Sequence, residues 1–139
     1  MSTQSIWDKF TFTAVKQKNA GDYLKELKEG LLSNTHGNLD MEIEVTQGYV
    51  DTEPPKFTII YKLFVVAPKM GNFRRKILSV AEYPETGKFP VEVVNHYNNN
   101  DTKENVTEGN FKTTIEDILS SPIVKSSIEY LYQMSADLP

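Results

Sequence analysis

The chain is 139 residues long, 39% hydrophobic and 24% charged, with a formal net charge of −4 at neutral pH. These values fit one globular domain that buries about two-thirds of its surface on folding. The acidic balance argues against bulk nucleic-acid binding, and the absence of cysteine excludes disulfides, thiolate metal sites and cysteine nucleophiles.

Near the N-terminus, Ser5 and Asp8 have the spacing of a capping pair, and Ile6, Trp7, Phe10 and Ala14 share one helical face. Residues 10–13 alternate like a strand, so a strand over residues 9–15 is the alternative to a helix there. The next segment predicts a helix capped by Asp22, with Leu24, Leu27 and Leu31 at helical spacing and Lys25, Glu26, Lys28 and Glu29 towards water. Ser33 to Asn38 ends it.

The centre predicts an antiparallel meander of four strands. Met41, Ile43 and Val45 alternate with Glu42, Glu44 and Thr46, which gives one buried and one wet face. Pro54-Pro55 stops that strand. The second runs from Lys56 to Ala67, with Phe57, Ile59, Tyr61, Leu63 and Val65 on one face and Ile60, Phe64 and Val66 on the other. It reads as central because both faces are apolar at its far end. After a turn at 68–72, the third strand covers 73–83. Pro84-Glu85-Thr86-Gly87 has the composition of a type I turn with glycine in the left-handed position. The fourth strand is expected over 88–97, with Pro90 at its start or on an edge. Residues 98–110 are almost without apolar side chains and read as a mobile loop. Two helices close the chain. Thr113 and Glu116 form a capping-box pattern before Ile115, Ile118 and Leu119. Ser121-Pro122 then restarts a helix whose stripe is Ile123 or Val124, Ile128, Leu131 and Tyr132.

The expected fold is therefore a single α+β domain spanning 1–139: a four-stranded antiparallel meander packed by N-terminal and C-terminal helices. If residues 9–15 form a strand, the order becomes β-α-β4 followed by helices, which resembles the cystatin-like arrangement of a helix wrapped by a sheet. That resemblance is topological and implies no protease inhibition.

Few patterns carry chemistry. The glycines are dispersed, so no phosphate-binding loop exists. There is no G-x-S-x-G elbow, and two histidines leave no multi-histidine metal site. No metal or cofactor is expected. His96 and Tyr97, followed by Asp101, Glu104 and Glu108, are the candidates for acid–base work, with His96 as general base. A strand end running into a solvated acidic loop has the same composition. Arg74, Arg75 and Lys76 form a basic run that contains both arginines of the chain, and arginine recognises carboxylate or phosphate. Alternation puts Arg75 on the face opposite Arg74 and Lys76.

Ile60, Phe64 and Val66, with Leu78, Val80 and Val94, are expected on a second sheet face. If helices cover only the first face, these residues form an apolar patch that a soluble monomer rarely exposes. The expectation is a non-enzymatic binding or adaptor module that forms a homodimer through that face, with a further protein partner conceivable. The alternative is a small-molecule-binding or hydrolytic domain with a pocket between sheet and helices. No export signal is read in the first twenty residues, and the longest apolar run, residues 63–67, is far short of the roughly twenty residues of a membrane span. A cytoplasmic protein, bound to neither membrane nor nucleic acid, is the expectation.

Overall fold

The computed structural model describes residues 5–12 and 18–139. Its order is a helix, α1 (Ala20–Asn34), then five strands, β1 (Asp40–Val50), β2 (Lys56–Ala67), β3 (Phe73–Glu82), β4 (Val91–Asn95) and β5 (Asp101–Val106), then α2 (Glu108–Ser120) and α3 (Pro122–Ala136). The strands form one antiparallel sheet in the order β1-β2-β3-β4-β5. The fold is thus α+β, with five strands where four are expected. The extra strand lies in the expected loop. Every residue of β5 except Val106 is exposed, so its hydrophobic pattern is silent, and its ladder to β4 defines it.

Most local signals act as anticipated. Ser5 and Asp8 make a reciprocal capping box, but the turn they start is a single 3-10 turn over Ile6–Lys9. Residues 13–17 lie outside the described residues, and with them Ala14 and the last three residues of the alternative strand. Among the described residues no strand precedes α1, so the β-α-β4 order is not what these residues show. The cap of α1 is Asn19 rather than Asp22. The Asn19 side chain accepts from the Asp22 amide, and the Asp22 carboxylate accepts from the Asn19 amide. α2 starts at Glu108, well before the expected Thr113–Glu116 box, and the hydroxyl of Thr114 donates back to the Asn110 carbonyl. Pro122 occupies the first turn of α3 as expected.

All three helices bury their apolar stripes on one sheet face. Leu24 of α1, Phe111 and Ile115 of α2, and Val124 and Leu131 of α3 join Met41, Leu63, Val65, Val80, Val91 and Val93 in one core. The side chains of β3 depart from strict alternation. Leu63 pairs with Leu78, but its neighbour Phe64 pairs with Lys76, so a bulge leaves Ile77 extra. Ile77 and Leu78 both reach the core, and the phase of the strand switches there. Leu78 and Val80, expected on the second face, are therefore fully buried under the helices. The other residues of that set, Ile60, Phe64, Val66 and Val94, do lie on the second face, by their pairing with Thr46, Glu42, Arg74 and Ser79.

Candidate binding face

The face left open by α1, α2 and α3 is neither a bare apolar patch nor a plain wet side. Ile60, Val66 and Val94 are half-buried, and Phe64 is 9% exposed. Long charged side chains shield it. The guanidinium of Arg74 sits 4.1 Å from the centre of the Phe64 ring. It donates to Glu42 Oε1 at 2.8 Å and to Glu44 Oε2 at 3.2 Å. β1, β2 and β3 thus each contribute to one cluster, with the carboxylates two residues apart on the same side of β1.

The basic run divides as alternation requires. Arg74 is on the open face, and Lys76, half-buried, pairs there with Phe64. Arg75 is on the helix side. Its guanidinium donates to Ser127 Oγ at 3.0 Å and lies 5.8 Å from the centre of the Tyr97 ring, while Tyr97 and Ser127 share a hydrogen bond of 2.8 Å. Arg75, Tyr97 and Ser127 together tie α3 to the sheet.

Adjacent in sequence, His96 and Tyr97 are separated by the sheet. His96 lies on the open face, with Nε2 3.0 Å from Ser79 Oγ and Nδ1 2.8 Å from Asn100 Oδ1. The carboxylates expected beside it are placed otherwise: Glu108 accepts from the Tyr23 hydroxyl and Asp101 faces Lys103. Ser79 and Asn100 are the partners sequence reasoning misses. Ser79 looks like the polar side of a strand, and nothing in its neighbourhood marks a histidine seventeen residues later.

At one end of the sheet, a hollow of about 300 Å³ is lined by Thr52, Lys56, Tyr83, Thr86, Glu92 and Glu104, among others. The Tyr83 hydroxyl donates to Glu92 Oε2 at 2.9 Å. Partial burial, that bond and the charge of Glu104 push the Tyr83 phenol above its ordinary value. On the helix side, a cleft of about 180 Å³ between α1 and α2 is lined by Tyr23, Leu27, Phe111 and Ile115. His96 does not line it. Among the described residues no group of three or more acidic or histidine side chains could hold a metal ion, and no helix is long and apolar enough to cross a membrane.

The sequence matches no protein-family model, and no curated protein or solved structure is significantly similar to it.

Proposed function

We propose that the protein is a cytoplasmic binding or adaptor module that works through its open sheet face and pairs through it with a second copy. One observation carries this reading. A sheet face that no helix of the core covers carries half-buried Ile60, Val66 and Val94 around Phe64, whose ring lies under Arg74, between charged residues of both signs. An ordinary wet face would be polar throughout. Apolar side chains set among Glu42, Glu44, Arg74 and Lys76 make a patch that complements itself under two-fold symmetry. A pocket enzyme built on His96 and Tyr97 between sheet and helices has less support, because those side chains lie on opposite sides of the sheet.

Static light scattering at micromolar concentration tests the proposal, run beside Phe64→Lys. The wild type should scatter as two chains and the variant as one. A wild-type mass of a single chain refutes self-association, and a dimeric variant moves the contact away from Phe64.

A further inference from the structure

On the open face, three side chains form a connected relay beside Val94, within the proposed contact, so an ester reaches it in the separated chain. Asn100 Oδ1 lies 2.8 Å from His96 Nδ1, and His96 Nε2 lies 3.0 Å from Ser79 Oγ. An amide oxygen only accepts, so Nδ1 carries the proton. In the neutral ring Nε2 then holds a free lone pair, and the Ser79 hydroxyl donates to it. A hydroxyl on a base whose far nitrogen is held by a third group is the arrangement of an activated nucleophile.

The backbone fixes all three positions. Ser79 pairs on both sides, with Lys62 in β2 and Val94 in β4. The His96 amide donates to the Ile77 carbonyl at 3.0 Å. Asn99 and Asn100 both take left-handed conformations, with φ of +48° and +58°, which turns the chain back on the ring. Ser79 is 9% exposed, on the side without helices. Lys62 is the cross-strand partner of Ser79 in β2, so the two Cβ atoms are about 5 Å apart on the same face.

We propose that Ser79 is a reactive nucleophile that takes the acyl group of an activated carboxylic ester, with His96 as general base and Asn100 as the positioning residue. The oxygen of Ser79 forms a bond to the carbonyl carbon as its proton passes to His96 Nε2. The bond from that carbon to the leaving alkoxide or phenoxide oxygen breaks, and its electron pair leaves with that oxygen. The imidazolium then releases its proton to the leaving group or to water. No other reactant is needed.

The test uses p-nitrophenyl acetate as probe and intact-mass and peptide-mass analysis as readout. One acetyl group per chain should appear on Ser79, with a matching burst of p-nitrophenolate. His96→Gln should slow Ser79 acetylation about 100-fold. Asn100→Gly, which keeps the left-handed backbone and removes the acceptor, should slow it by about 10-fold or more, and Asn100→Asp should restore it, because a carboxylate oxygen also accepts from Nδ1. Asn100 is exposed, so its two variants decide the matter even if His96→Gln fails to fold. Acetylation confined to lysines or tyrosines overturns the proposal. So does a Ser79 rate that is the same in Asn100→Gly as in the wild type.

Discussion

The ring of Tyr61 occupies the space in which a side chain on Gly21 would begin: a Cβ built on Gly21 lies 2.7 Å from Cε1 of Tyr61 and 3.2 Å from Cδ1. Gly21 is in the first turn of α1, and Tyr61 is a core residue of β2, 7% exposed. The missing side chain lets helix and sheet approach. Helix propensity alone favours Gly21→Ala by up to about 1 kcal/mol. The overlap outweighs that gain, because the ring is packed and has to shift. Gly21→Ala should cost about 1–3 kcal/mol in urea unfolding. Gly30, in the same helix, has nothing within 4 Å of an added Cβ. Gly30→Ala should therefore stabilise by about 0.5–1 kcal/mol. Equal effects at the two glycines would show that the contact with Tyr61 does not set the helix-to-sheet distance.

A second expectation concerns Glu82, the last residue of β3. It is 6% exposed, and its Oε1 has no hydrogen-bond partner. Burial raises its carboxyl above the ordinary glutamate value, and the charge of Lys88 opposes this in part. The folded chain thus holds a proton that the unfolded chain releases. Stability must fall as pH rises from the ordinary carboxylate range through the raised value, and the loss is complete above it. Glu82→Gln cannot ionise, so urea midpoints measured against pH should lose this downward step. A variant curve parallel to the wild type would place the step on another group.

The strand phase of β2 gives a third. Leu63 is fully buried, between Ile43 of β1 and Leu78 of β3 on the helix side. Leu63→Ala should cost about 2–5 kcal/mol, since the sheet cannot close the cavity without losing its ladder. A loss under about half a kcal/mol would mean that the site collapses around the smaller side chain.

What the sequence displays is the set of elements with an apolar stripe or a breaker. Leu24, Leu27 and Leu31 mark α1, and Pro84 to Gly87 mark a turn, though Gly87, at φ +102° and ψ −169°, is not in the expected left-handed helical conformation. The bulge at Ile77 is hidden, because a run of Ile77, Leu78 and Val80 is apolar in either phase, and only the register against Leu63 and Phe64 decides it. β5 is hidden because an edge strand is held by main-chain bonds, which leave no mark on side-chain pattern. The open face is legible at Ile60, Phe64, Val66 and Val94, which follow from alternation. The approach of Arg74 to Glu42 and Glu44 requires the β1–β2–β3 register. The relay from Asn100 through His96 to Ser79 is not legible either, because it joins β3 to the turn after β4.

The last expectation follows from how β5 is anchored. Five of its six residues are exposed, and Val106, 6% exposed, is the one that enters the core, opposite Val91. Central strands open only with the whole domain, whereas an edge held by one side chain can detach alone. In hydrogen exchange, amides of β5 should exchange faster than those of β2 and β3 in the wild type. Val106→Ala removes the anchor and should widen the difference, speeding exchange in β5 about 10-fold or more, the effect of a loss of roughly 1.4 kcal/mol or more in local opening. β2 should change much less, because its protection comes from two neighbouring ladders and from Leu63, Val65 and Ala67 in the core. If Val106→Ala speeds exchange equally in β2, β3 and β5, the edge strand is part of the cooperative core, and its exposed residues understate how firmly it is held.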